Sequence, residues 1–317
     1  MNINRILFVA LVALGLSACH KNNPDFLMKG DEIHVTAGVQ GQATRAGYDA
    51  ESLPATFYLT FIQDEKDLES EYNYLNAKMV KGEGSEYATA SGTALVWKEK
   101  DHSYVKANAY TTEGDVFSVL ENQTSEADLK NSDLLGAAGN DVTVDGNNLN
   151  INLHHMLCKL DITFIWDEAL ADVDKELASV VYSGFGEDVS LDRDNAVVTA
   201  GTRTADIHAC LSVVDAKKTS ISEAVFAPQT SDIAILIKAN VANSAKEYKL
   251  NLMPPTDGFV LGNSYSMTVK ISKEVVYFEA SPTLQDWEVE NQLNFTERKE
   301  PTFIFSATTE SPSESNQ

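Results

Sequence analysis

Apolar and polar residues alternate with a period of two along most of the chain, the spacing of strands with one buried face. Residues 32–40, EIHVTAGVQ, are the first case. Ile33, Val35, Ala37 and Val39 fall on one face, while Glu32, His34, Thr36 and Gln40 fill most of the other places. A polar stretch, GQATRAGYDAES, follows, and the β-branched and aromatic run 55–62 predicts the next strand. Residues 92–100, 103–111 and 115–120 predict further short strands with glycine or charged turns between them. Residues 122–136 are polar and read as a loop with room for one helical turn. Val142 and Val144, then Asp145-Gly146, then Leu149, Ile151 and Leu153 predict a hairpin around an Asp-Gly turn.

The second half keeps this character. Leu160, Ile162, Phe164 and Trp166 alternate along 158–166. Residues 167–180 are the best helix candidate, with Leu170, Val173 and Leu177 on one face and acids on the other, the alternative being a loop of one or two turns. VVYSGFG, NAVVTAG, ADIHACLSVV, EAVFAPQ, DIAILIKANV, KEYKLNLM and SYSMTVKISKEVVYFEA are strand-like, punctuated by Gly, Asp-Asn, Pro-Pro and Asp-Gly. So many short strands with sparse helix predict an all-β chain of sandwich type. A seam near 145–158 divides them into an N-terminal domain over 31–148 and a C-terminal domain over 149–290. The tail, 291–317, is polar except for a strand pattern at 301–309 that carries Phe303, Ile304 and Phe305.

The N-terminus carries a different signal. Arg5 precedes an apolar run from Ile6 to Leu16, too short for a comfortable membrane span and right for a secretory leader over 1–18. Leu16-Ser17-Ala18-Cys19 has the form of a bacterial lipobox, in which Cys19 becomes the lipidated first residue and the only covalent addition expected. Residues 19–30 then read as a tether. Acyl chains on Cys19 would anchor the chain to a membrane, at about 0.8 kcal/mol per buried CH₂.

Charge narrows the partners. The 317 residues hold 24 Lys and Arg against 47 Asp and Glu, a net charge of −23, which repels nucleic acid. Besides Cys19 there are only Cys158 and Cys210, which form either one disulfide or two buried thiols. G-x-S-x-G, HExxH and Walker patterns are absent, and nothing singles out an acid pair for catalysis. His154-His155 with Cys158 hints at a metal, but neighbouring strand residues point to opposite faces. The groups Asp172-Asp174-Glu176 and Asp192-Asp194-Asn195 lack the Gly and Glu positions of an EF-hand. The second group reads as an Asx turn. Trp97, Trp166 and Trp287, set in strands, read as core rather than a sugar platform. Arg45 lies in QATRAGY, a polar stretch of small residues of the kind that proteases cut.

Taken in order, several segments resemble the Bacteroidota fimbrillins, the Mfa-like subunits of type V pili. They are Cys19 in its lipobox, Thr44-Arg45-Ala46 after the first strand, LHHMLCKLDITF at 153–164, and the ending LGNSYSMTVKISKEVVYFEASPTLQDWEVE. The resemblance implies two transthyretin-like β-sandwich domains of Greek-key type, no cofactor and no catalytic site. It implies export as a lipoprotein of the outer membrane and cleavage between Arg45 and Ala46 by an Arg-specific protease. The strand bearing Ile33, Val35, Ala37 and Val39 would then leave a groove. Phe303, Ile304 and Phe305 would be the strand offered to the next subunit, head to tail. The alternative is a monomeric surface lipoprotein that binds a glycan or another ligand of a host or bacterial surface.

Overall fold

Period-two segments become strands wherever a second strand offers its backbone. The computed structural model describes residues 30–40, 48–49, 52–171, 175–273, 275–278, 283–286 and 305–306. The first half contributes β1 (His34–Val39), β2 (Thr56–Ile62), β3 (Tyr74–Lys81), β4 (Glu86–Thr89), β5 (Lys106–Tyr110), β6 (Val116–Ser118), β7 (Leu135–Ala138), β8 (Val142–Asp145) and β9 (Asn148–His155). The second half contributes β10 (Cys158–Trp166), β11 (Lys175–Gly186), β12 (Asp188–Asp192), β13 (Val197–Ala200), β14 (Thr204–His208), β15 (Cys210–Val213) and β16 (Ser220–Phe226). It continues with β17 (Ile233–Val241), β18 (Ser244–Leu252), β19 (Asn263–Ile271), β20 (Val276–Phe278), β21 (Thr283–Asp286) and β22 (Phe305–Ser306). The α-helix among the described residues is α1 (Glu126–Asn131), started by a capping box between Ser125 and Asp128.

In the first half the strand order is β1-β4-β3-β2-β5-β7-β9, and β9 pairs back to β1. The sheet therefore closes on itself as a seven-stranded ring, with β8 attached to β9. Phe57, Leu59 and Phe61 of β2, Met79 of β3, Trp97 and Leu149, Ile151 and Leu153 of β9 fill its interior. The β8–β9 hairpin turns on Gly146-Asn147, between the pair Asp145↔Asn148 and with Gly146 at φ 58, one residue later than an Asp145-Gly146 turn would fall. β9 lies in this ring and β10 in the next sheet, so the change of sheet falls between His155 and Cys158.

The second half is a sandwich of two sheets, ordered β15-β16-β10-β19-β20 and β14-β11-β17-β18-β22, with β21 also on β19. Ile162 and Phe164 of β10, Val269 and Ile271 of β19, Ile235 and Ile237 of β17 and Leu250 of β18 share its core. Residues 119–134 of the first half lie over it. Gln123 acts as a substitute strand partner: its Nε2 donates to Val225 O and its Oε1 accepts from Val225 N, each at 2.8 Å. Leu129 of α1 and Leu134 join the same core.

Two expectations are corrected. The helix expected over 167–180 gives way, among the described residues, to a turn from Leu170 N to Asp167 O, the alternative reading, and then to β11 from Lys175. β11 pairs with both β14 and β17, and its register against β17 slips between Leu177 and Ser179. That irregularity puts Leu177 and Val180, opposite Ala239 and Ile237, on the same face although they are an odd number of residues apart. Residues 92–100 do not form a strand. Val96 makes one bridge, to Glu32, while Trp97 is buried.

A third small sheet, β13-β12-β6, ties the halves together, because β6 comes from the first and β12 from the second. Arg193 secures this seam. Its Nε donates to Asp115 Oδ1 at 2.8 Å and its Nη2 to Thr112 O and Gly114 O at 2.7 and 2.8 Å. The same guanidinium lies over the Tyr110 ring at 5.1 Å, and Tyr110 Oη donates to Arg193 O at 2.9 Å. Arg193→Ala is expected to cost about 2 kcal/mol, the usual scale for hydrogen bonds to a charged group. Urea unfolding measures the cost, and limited proteolysis should show faster cutting at 112–115.

Cys158 and Cys210 are two buried free thiols. They lie on opposite faces of one sheet. Cys158 pairs with Phe226 on the inner face, and Cys210 pairs with Glu223, which shares the outer face with Asp161. On that outer face Lys159 Nζ reaches Glu223 Oε1 at 2.8 Å and Asp161 Oδ1 at 3.2 Å, while Ser264 Oγ donates to Asp161 Oδ2 at 3.0 Å. The Lys159 side chain is 2% exposed.

Candidate functional site

The geometry centres on β1. Ile33, Val35, Ala37 and Val39 are all buried, at 5, 3, 2 and 5% exposure, and the residues between them face outward. Alternation alone produces this result: a single inward row of apolar side chains meets Phe57, Met79, Leu149 and Ile151 in the ring. On one side β1 runs parallel to β9 along its whole length, from His34↔Asn148 to Val39↔Leu153. His34 N donates to Asn147 O and Gln40 N to Leu153 O, both at 3.0 Å, and Thr36 Oγ1 donates to Asn150 Oδ1 at 2.7 Å.

The other side is held more sparsely. β1 pairs antiparallel with β4 only at Val35↔Tyr87 and Thr36↔Glu86. Ala37 N donates to Ser85 O at 2.9 Å, and Ile33 N donates to Leu95 O at 2.8 Å. Between these two attachments a cavity of about 250 Å³ opens beside Ile33, Val35, Met79, Tyr87 and Leu95. β1 is thus both a wall of the core and the strand that closes the ring. Tyr87 hydroxyl donates to Pro54 O at 2.6 Å, and burial pushes its pKa up to about 12.

The other site residues expected from the sequence fall as follows. Cys19, Arg45, Ala46, Phe303 and Ile304 lie outside the described residues. Phe305 begins β22, whose backbone pairs with β18 in the register Leu252↔Phe305 and Asn251↔Ser306. His154 and His155 diverge. His155 Nδ1 meets Asp133 Oδ1 at 3.0 Å with both side chains fully buried, and His154 Nε2 meets Asp141 Oδ1 at 3.0 Å on the other face. Cys158 Sγ donates to Val260 O at 3.1 Å, and burial pushes this thiol well up, away from the thiolate a nucleophile needs. Asp192 accepts from Asp194 N and Asn195 N in an Asx turn, and the Asn195 side chain helps hold its carboxyl below the usual range. Trp97 and Trp166 are core residues. Trp287, Asp172 and Asp174 lie outside the described residues. The partners of β1 on β4 and in 92–96 were not foreseen. β3 and β4 are largely exposed, with Met79 and Tyr87 their buried residues, so they carry no period-two signal.

Several buried groups share one direction of shift. Burial raises the Tyr110 and Tyr182 hydroxyls, and Tyr48, Tyr74 and Tyr104 less so. Burial alone would lower the Lys159 ammonium, but Asp161 and Glu223 outweigh it and hold it above the ordinary lysine value. Each group binds its proton more tightly folded than unfolded. Stability is therefore complete below the unfolded values near 10 and falls as pH rises through the folded ones. Melting temperature followed from about pH 8 to pH 12 should drop steeply above about pH 10.

These features define an all-β protein built from a ring and a sandwich, with a closing strand as its distinctive element. The chain belongs to the fimbrillin-like family, whose model matches residues 29–287. Solved structures with the same fold include a "putative cell adhesion protein" of Bacteroides uniformis ATCC 8492, at 20% identity and TM-score 0.56, covering 82% of this chain and 98% of that one. Another, of Bacteroides ovatus ATCC 8483 and given the same description, has 13% identity and TM-score 0.58, covering 83% and 99%. No curated protein matches the chain.

Proposed function

We propose that this chain is a structural or adhesive pilus subunit, exported to the outer membrane as a lipoprotein on Cys19 and matured by a cut between Arg45 and Ala46. The observation that carries the reading is the position of β1. It closes a ring through two different edges, and it is followed a few residues later by an arginine in a polar stretch. Removal of β1 would leave a groove walled by β9 and β4 and floored by apolar side chains. An extended strand from a neighbouring subunit fits such a groove by main-chain hydrogen bonds and alternate side chains. The segment 301–309, with Phe303, Ile304 and Phe305, is the strand this chain would donate in turn. Because the donated strand and the groove are different surfaces, repetition gives an open filament. The role needs no cofactor or enzymatic site.

The test is the intact mass and N-terminal sequence of the protein recovered from the cell surface, followed by electron microscopy of the purified, cleaved form. A free terminus at Ala46 and filaments support the reading. A lipidated Cys19 as the sole terminus removes the cleavage step. A cleaved protein that stays monomeric points instead to a surface lipoprotein that binds a glycan or a host ligand.

A further inference from the structure

We propose that the cleft between the two halves, just past the C-terminal end of β1, binds a neutral sugar residue at the end of a glycan. The cleft has a volume of about 410 Å³. Asp141, His154 and Met156 line one side, and Val260, Leu261 and Asn263 the other. Small-molecule sites favour such junctions, and the volume lies within their usual range.

The lining selects the ligand. It contains no lysine or arginine, one of its polar groups is a carboxylate, and the whole chain carries −23. A phosphate, sulfate or carboxylate ligand would meet the Asp141 carboxylate with no lysine or arginine in the lining to offset it. Asp141 Oδ1 and His154 Nε2, 3.0 Å apart, instead offer polar atoms to hydroxyls, and Asn263, itself 7% exposed, lies in the same lining. Val260 and Leu261 are 40 and 38% exposed, so aliphatic surface sits at the lip beside these polar groups. A pyranose presents the matching surface: hydroxyls along its edges and a C–H face that covers aliphatic groups.

The site is also built before any ligand arrives. Val260 N donates to Tyr265 Oη at 2.7 Å, Cys158 Sγ donates to Val260 O at 3.1 Å, and Gly262 N donates to Leu157 O at 2.9 Å. Gly262 adopts φ 70, and a Cβ there would stand 3.3 Å from His155 O, so the loop passes against β9 with little slack. Preformed loops lose less entropy on binding, which suits a ligand as small as one sugar.

Saturation-transfer NMR on the full chain, with the methyl glycosides of glucose, galactose, mannose, fucose and N-acetylglucosamine as probes, tests the proposal. At least one glycoside should bind in the millimolar range. Asp141→Ala and Leu261→Asp should each weaken it about tenfold, a change of about 1.4 kcal/mol. Both positions are partly exposed, so each variant should keep the circular dichroism and melting temperature of the parent. The proposal is overturned if no glycoside binds, if both folded variants bind as the parent does, or if inorganic phosphate or methylamine binds in preference. Filament formation is scored separately on the same samples. A parent chain that assembles but binds no glycoside sinks this proposal alone, and sugar binding without filaments leaves it standing.

Discussion

A chain that starts at Ala46 melts well below one that keeps β1, and adding a peptide of residues 31–40 restores part of the difference. The reason is burial. Ile33, Val35 and Val39 are each almost fully withdrawn from water, and each such side chain contributes about 1.5–3 kcal/mol. With Ala37, the loss is on the order of 5–9 kcal/mol, an upper figure because unfolded chains already hide some surface. A small domain has about 5–15 kcal/mol in all. The ring without β1 should thus stand near its unfolding threshold. The peptide at a hundred times its dissociation constant returns about 2.7 kcal/mol. A peptide carrying Val35→Asp should return nothing, because it places a carboxylate where the wild-type side chain is 3% exposed. If a peptide of residues 301–309 raises the melting temperature as well, the tail can take the same groove. Identical melts with and without β1 would show that the strand is not part of the stable core.

Lys159→Met is expected to lower stability by about 3–5 kcal/mol, because it strands two carboxylates around a site built for a cation. Glu223 is 6% exposed and its Oε1 stands 2.8 Å from the ammonium, so it has little water to turn to. The double variant Lys159→Met, Glu223→Leu should recover most of that loss, since apolar replacements of a whole buried pair are often neutral. Urea unfolding of the parent, the two single variants and the double variant gives the coupling directly. A cost below about 1 kcal/mol for Lys159→Met would mean that the ion pairs contribute no more than surface ones do.

The strand faces were readable because burial on one side leaves a period-two record. Ile33 to Val39, Leu149 to Leu153 and Leu160 to Trp166 are each buried on the face that alternation picked out. The β8–β9 hairpin was legible for a local reason, since its turn needs a residue tolerant of positive φ and Gly146 supplies it, although the turn sits on Gly146-Asn147. What stayed hidden depends on distant partners. Nothing local in 34–39 says that it lies parallel to 148–153, more than a hundred residues away, or that this pairing closes a ring. The helix reading of 167–180 joined Leu170 and Val173, which come before β11 in the sequence, to Leu177 within it, so its spacing ran across the start of a strand. The segment 92–97 looked like a strand because Leu95 and Trp97 are core residues, yet its backbone serves the start of β1 through Leu95 O and Val96 rather than a full ladder. The inter-half cleft had no sequence signal at all, since its walls come from five separate stretches of chain.

Closure of the first sheet has a kinetic consequence. Peeling an outer strand from an open sheet uncovers one edge, whereas lifting one strand out of a ring uncovers two that face each other. A strand entering the gap is gripped on both flanks, along six residue pairs toward β9 and two toward β4. Slipping by one residue would turn its apolar row outward against both flanks at once. To leave, it must give up both ladders and the apolar floor in the same event. Affinity differences in such complexes reside mainly in dissociation rates, so a strand seated there should have a residence time far longer than either flank alone would allow.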